Sequence, residues 1–378
     1  MDRMTRIFWL GTKELRAVLS DVSLVVMIIM AFTLMVVAGG GEDHSPGGGG
    51  TTNMTIAIVD EDNSALSRAI AAGFLAPDFL PPTYISADEI GAGLDNGAFM
   101  FALSLPAGFE ADLRRGRLTE LLLTIDATRA AIVSDGATMI ALVLETEVAR
   151  FLTRTDPSEE GGATLVTRLA FNPTGDASWT GPISALLDNL SMLTILLTGA
   201  ALIRERERGT IEHLMVMPLT SFDIALAKIW ANGLILIAAF AMSLVFVVQG
   251  AMAVPLVGSV PLLLVGTGLF IFATAAIGIM LATLARSMAQ FAMLFMLTYL
   301  PIMQLSGGVS PVENQPELLQ HVTWLLPSRH YLDFANSVLF RAAGFDVVWP
   351  QVLTIAGLGT VFLSISLVLF RRSIESSG

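Results

Sequence analysis

Long apolar runs recur along the chain, punctuated by short charged stretches. Val22–Ala38, Ile183–Ile203, Ile229–Val248, Ser287–Gln304 and Val347–Phe370 each read as a membrane span. A further span falls within residues 229–285, where 57 positions carry no charge, room for two crossings of about 20 residues and a turn. Gly250, Pro255, Gly258 and Pro261 place that turn, and Arg286 marks the next. Ahead of the first span, residues 1–21 set Phe8, Trp9, Leu10, Leu15 and Leu19 among Arg3, Arg6, Lys13 and Arg16, a helix suited to the membrane interface. Val36 and Ala38 resemble a signal-peptide cleavage site, but the long basic leader favours an uncleaved anchor at 22–40.

Between the first two spans the pattern changes. Gly39–Thr52, with Gly47–Gly50 in a row, reads as a tether. Strands are expected at Thr55–Val59, Ala98–Leu105, Thr119–Ile125 and Thr164–Phe171. Helices are expected near 65–74, 87–96, 109–115 and 127–153, and Pro77, Pro81 and Pro82 exclude regular structure between two of them. Such alternation makes an α/β domain at 41–181. The fold class is an α-helical membrane protein of six transmembrane helices with an extracytoplasmic α/β domain inserted between the first and second spans. Residues 182–378 supply five of the spans. Within them, 305–349 reads as an outer loop whose short helices, at Leu318–Leu326 and Tyr331–Phe340, are interrupted by Pro316 and Pro327.

Composition sharpens this division. Only 14 % of the 378 residues are charged and the mean hydropathy is +0.70, against a soluble norm of roughly 25 % charged. The net charge of −12 resides entirely in 41–181, which holds 20 acidic and 8 basic residues; the remainder holds 13 of each. An acidic insert on a neutral membrane part excludes nucleic acid as a partner. The basic residues at 3, 6, 13, 16, 204, 206, 208, 228, 286, 371 and 372 fall on one side, against Arg329 and Arg341 on the other. The positive-inside rule therefore puts both termini in the cytosol and 41–181 outside. Cysteine is absent, so neither disulfides nor thiolate metal sites are available.

Catalytic patterns are poor. No His-Glu-x-x-His pair and no Gly-x-x-x-x-Gly-Lys-Ser/Thr loop occurs, so the chain is expected to hold no metal and no nucleotide of its own. Ser306 with His330 could be imagined as an intramembrane hydrolase pair, but no Gly-x-Ser-x-Gly elbow or orienting acid accompanies them. The spans carry essentially one ionisable residue, Asp188, about 24 Å along a helix from Arg204 and so near the outer interface, where a snorkelling or helix-start carboxylate accounts for it. With Ser191, Thr194, Thr198 and Thr298 it makes a candidate substrate path for an amphipathic or lipophilic cargo. The 18 methionines suit adaptable binding surfaces, but ordinary lipid-facing or packing duty explains them as well.

One charged island lies between two spans. Arg204-Glu205-Arg206-Glu207-Arg208 is followed by Gly209, Thr210, Ile211 and Glu212, then by Pro218 and Lys228. Thr220 or Ser221 can cap a helix with Asp223 in its first turn. The plainest reading is that these charges mark the cytosolic side. The ordered sequence of helix end, short helix, turn and helix start goes further. The run Arg-Glu-Arg-Glu-x-Gly-Thr-Ile-Glu-x-Leu-x-x-x-Pro, with Lys228 ten residues after Pro218, resembles the signature of ABC-2 type transporter permeases. The order of parts over the whole chain is similar to that family, and Ser306-Gly307-Gly308, Pro311, Pro316 and Leu326-Pro327 match its last outer loop. Ala227 departs from the glycine that many relatives place before the lysine.

The resemblance implies a membrane subunit of an ATP-driven exporter, closest to the permeases of tripartite bacterial efflux systems. Thr210–Met217 would seat on a separate ATP-binding subunit, which would carry the ATP and Mg. Glu205, Glu207 and Glu212 would tie the spans and the interfacial helix together by ion pairs with Arg204, Arg206, Arg208 or Lys228. Partners would be that subunit, a second permease copy or a paralogue, membrane lipid and a periplasmic adaptor. The alternative is a non-transporting assembly factor that recruits a periplasmic partner through its acidic outer domain.

Overall fold

The computed structural model describes residues 3–41, 54–74, 78–155, 163–171, 177–207, 220–306 and 315–375. The chain divides into two compact units, one of Met1–Glu42, Gly181–Ser310 and Glu317–Gly378, the other of Asp43–Thr180 with Pro311–Pro316.

The first unit opens with α1 (Arg3–Ser20). Asp21 ends it by turning its carboxylate onto the Ser23 and Leu24 amides at 3.1 and 3.3 Å, which caps α2 (Val22–Phe32). A break at Thr33 separates α2 from α3 (Leu34–Gly41). Phe8, Trp9 and Leu19 of the apolar set on this helix are exposed, whereas Ile7, Gly11, Glu14 and Val18 form the buried stripe.

In the second unit a five-stranded sheet runs in the order β2-β1-β3-β4-β5. In chain order the elements are β1 (Ile56–Asp60), α4 (Ala65–Gly73), β2 (Thr83–Tyr84), α5 (Glu89–Asp95), β3 (Phe101–Leu105), α6 (Phe109–Arg114), β4 (Thr119–Asp126), α7 (Ala130–Thr155) and β5 (Ala163–Ala170). β3 and β4 are antiparallel and the other neighbours parallel, with Ile58, Leu103 and Leu123 in register across three strands. Alternation sorts the side chains: Ile56, Ile58, Leu103, Leu105, Leu121, Leu123 and Ile125 join α4, α6 and α7 in the larger core. Ala57 and Ala102 face the other way, toward Leu94 of α5 and Phe99. The short edge strand β2 lay beyond the reach of the pattern, because two residues show no alternation.

The chain returns to the membrane unit with α8 (Ala177–Glu207), which runs through Pro182 and so begins ahead of the expected span. There follow α9 (Ser221–Met242), continued by a π-helical segment at Ser243–Ala251, then α10 (Val260–Leu284) and α11 (Met288–Leu305). Two short helices come next, α12 (Glu317–Thr323) and α13 (Pro327–Leu339), and α14 (Phe345–Glu375) is last. Pro327 begins α13 instead of breaking a helix, since the first helical position needs no amide donor. Among the described residues, six segments are long and apolar enough to cross a membrane: 22–39, 181–207, 221–251, 260–284, 288–305 and 345–371.

Packing centres on α10, which contacts α9, α11, α13 and α14. It approaches α8 through small residues: a Cβ at Gly278 would lie 2.7 Å from the Ile195 carbonyl oxygen, and one at Gly199 would lie 2.9 Å from the Gly278 carbonyl oxygen. Ser243, where the π segment starts, donates to the Phe32 carbonyl at the break between α2 and α3. The irregular stretch of one helix thus meets the irregular stretch of another.

Candidate functional site

The charged ends of α8 and α9 meet α1 and the α10–α11 turn in one junction. Lys228 is its centre, 1 % exposed although it is a lysine. Its Nζ lies 3.0 Å from Glu14 Oε1 on α1 and 2.9 Å from Glu205 Oε2 on α8. Burying an ammonium among apolar helices is tolerable only with such partners. Burial alone would raise the Glu14 carboxyl; the Lys228 charge, with hydrogen bonds to Glu205 and Lys228, overcomes this and holds it below the ordinary value.

Three more contacts fix α1 on α9. Arg3 Nε donates to Asp223 Oδ1 at 2.6 Å, while its guanidinium lies 5.0 Å from the Phe222 ring centroid. Asp223 is itself held in a capping box, accepting the Thr220 amide at 3.0 Å while Thr220 Oγ1 accepts the Asp223 amide at 3.3 Å. Trp230 Nε1 donates to the Ile7 carbonyl at 3.3 Å, and the indole fills the space above Gly11, where any Cβ would lie 2.2 Å from it. On the opposite side, Arg206 donates to the Ala285 carbonyl at 2.7 Å and Glu207 accepts the Met288 amide at 2.7 Å. These two residues hold the last carbonyls of α10 and the first amides of α11, groups a helix end leaves without partners.

The junction brings together Glu205, Arg206, Glu207 and Lys228 from the charged island and leaves Arg204 half-buried at its margin. Gly209, Thr210, Glu212 and Pro218, with Arg208 and the expected short helix at Thr210–Met217, lie outside the described residues. Of the expected ion pairs, Glu205 with Lys228 forms. Glu207 instead serves a backbone amide, and Arg206 a carbonyl, because the α10–α11 turn abuts them. Glu14, Arg3, Asp223 and Trp230 complete the site without having been expected in these roles. The legible signal was Glu14 itself, a carboxylate in line with Ile7, Gly11 and Val18 at helical spacing.

Farther along α8, Asp188 is not a helix-start carboxylate, since the helix begins at Ala177. It lines a small cavity with Ser191, Tyr299 and Ser306. Thr194 and Thr198 are buried on the same helix; the Thr194 hydroxyl donates to the Leu190 carbonyl at 2.6 Å. Thr298 is half-buried and does not line that cavity. Ser306 and His330 do not pair as a hydrolase would require. Ser306 Oγ donates to the Met303 carbonyl at 3.2 Å, and His330 Nε2 is 2.8 Å from the Trp324 carbonyl, so that nitrogen carries the proton. Burial also pushes the His330 imidazole below its usual value. Among the described residues no cluster of three or more His, Cys, Asp or Glu could hold a metal ion.

Among the described residues, six helices long and apolar enough to cross a membrane, tied at one end by buried charge, make the chain a multi-pass membrane protein. A family model described as "ABC-2 family transporter protein" matches residues 22–368, and the chain belongs to that family. It is 42 % identical over 374 residues to the inner membrane transport permease YhhJ of Escherichia coli (strain K12), covering 99 % of each chain. The "Probable multidrug ABC transporter permease YbhR" of the same organism is 27 % identical over 328 residues, covering 85 % of this chain and 87 % of its own. Nodulation protein J of Sinorhizobium fredii is 28 % identical over 202 residues, 53 % of this chain and 73 % of its own.

Proposed function

We infer that this permease is the membrane subunit of an ATP-driven exporter, energised by a separate ATP-binding subunit that carries ATP and Mg. The observation behind this reading is Lys228 bridging Glu14 and Glu205. One buried cation joins an interfacial helix to the ends of two spans, and residues 208–219 connect those same two spans. A push on that connection moves α8 and α9 together and carries α1 with them, because each is tied to the others at contact distance. Inner-membrane placement agrees with the name borne by the 42 % identical relative, and the distribution of basic residues favours cytosolic termini with 41–181 in the periplasm. A path for cargo would open between two permease copies or this chain and a paralogue, and the insert would engage a periplasmic adaptor. Multidrug transport, named for the 27 % identical relative, accords with an amphipathic or lipophilic cargo.

The test is co-expression with the neighbouring genes, mild solubilisation and measurement of associated ATPase activity. Wild-type permease should co-purify with ATPase activity, and Glu212→Ala should uncouple ATP turnover from efflux while insertion in the membrane is kept. A homo-oligomer without ATPase activity would overturn the reading in favour of an assembly factor.

A further inference from the structure

The cavity beside Asp188 lies among α8, α10, α11 and α13 and measures about 10 Å³, the room of a single water-sized group. Asp188 makes no ion pair and no side-chain hydrogen bond among the described residues; only its backbone carbonyl is engaged, by the Tyr299 hydroxyl at 3.3 Å. Two hydroxyls of the lining, Ser191 Oγ and Ser328 Oγ, are buried without a partner, and Ser191 as a whole is 4 % exposed. A carboxylate lacking a counter-charge and two hydroxyls lacking partners, in one apolar surrounding, are costly unless something completes them.

Everything else in the lining selects the sign of that completing group. Tyr331 is stacked on Phe270 with centroids 4.1 Å apart, and its hydroxyl is committed to Thr267 at 2.7 Å. Tyr299 is stacked on Phe295 at 5.3 Å. With both phenols occupied, Tyr299 and Tyr331 join Phe270 in making part of the cavity wall aromatic. Ser306 Oγ spends its proton on the Met303 carbonyl and keeps only lone pairs to offer. An anion would meet a carboxylate, and a neutral group would leave it uncompensated. A divalent metal would find a single carboxylate and no histidine or cysteine in this lining.

We propose that this cavity binds the primary ammonium head of a cationic amphiphile, with Asp188 as counter-ion, Ser191 and Ser328 as hydrogen-bond acceptors and the aromatic rings as the surrounding wall. The room available admits –NH₃⁺ and excludes a quaternary ammonium. The proposal rests on the transport reading and narrows its cargo to alkylamines.

The test needs neither ATP nor transport. Purified full-length permease in a non-ionic detergent is titrated with dansylcadaverine, a fluorophore whose five-carbon chain ends in an ammonium charged at neutral pH. Its neutral N-acetyl derivative is the control. Saturable binding is expected for the amine and not for the amide, weakened at least about tenfold in Asp188→Asn and about threefold in Ser191→Ala. Unchanged affinity in Asp188→Asn, or no saturable binding to the wild type, overturns the proposal. So does displacement by sodium at constant ionic strength, which would mark an alkali-ion site. Loss of associated ATPase activity, by contrast, would strike the exporter reading and leave this binding result untouched.

Discussion

A lysine with 1 % exposure between two carboxylates is the most consequential residue of this permease. Lys228→Ala would leave Glu14 and Glu205 buried face to face, at a cost of about 3–5 kcal/mol. The expected outcome is a lower Tm and poor recovery in detergent, with Lys228→Arg recovering part of both. Protonation should loosen the same tie from the other direction. The Glu14 carboxyl is held below its ordinary value of 4.5, so the stability it adds is fully present above that value and is lost as pH falls below it through the lower, folded one. Spin labels on α1 and α9 should therefore separate in acid below 4.5, and Glu14→Gln should remove that pH dependence. At this scale the sequence was only half informative. Lys228 and Glu205 stand out in a charged island, but Glu14 lies over 200 residues away, and such pairing depends on how helices dock.

Among the elements, close approach decides what can change. Gly278 faces the α8 backbone, and the carbonyl of Ile195 cannot step aside as a flexible side chain would. Gly278→Ala should force α8 and α10 apart, costing about 1–3 kcal/mol. Gly357→Ala on α14 meets nothing within 4 Å and should be neutral or slightly stabilising, because alanine favours a helix more than glycine does. Thermal unfolding of the two variants side by side checks the contrast. Loss of the capping box in Thr220→Ala should cost about 1 kcal/mol and weaken the hold of Asp223 on Arg3. Span positions were legible because about 20 apolar residues are their own signal. The start of α9 was legible because Thr220 and Asp223 sit three apart. The break at Thr33, the π segment and the buried Ile7–Val18 stripe of α1 were not, for each depends on neighbours distant in sequence.

For the whole molecule, the absence of cysteine offers a clean topological experiment. Ser86 and Lys13 are both exposed, one in the sheet-bearing unit and one on α1. Under the proposed orientation, Ser86→Cys in intact spheroplasts should react with a membrane-impermeant maleimide and Lys13→Cys only after lysis. The reverse pattern would invert the topology and remove the basis for an outward route. Charge asymmetry made this expectation possible from composition alone, since 41–181 carries all of the net charge. The cavity beside Asp188 could not be anticipated in that way. Its lining comes from four helices, and only their assembly leaves Ser191 and Ser328 without partners.

The tie between Glu14 and Lys228 also sets a timetable. A ribosome releases the carboxylate early and the ammonium 214 residues later, a gap of roughly 10–40 s at ordinary translation rates. Throughout that interval Glu14 lacks the Lys228 charge that it faces in the folded chain. Only the arrival of α9 lets it dock. Glu14 is thus made long before the lysine that completes it, so α1 can take its seat only once α9 has followed.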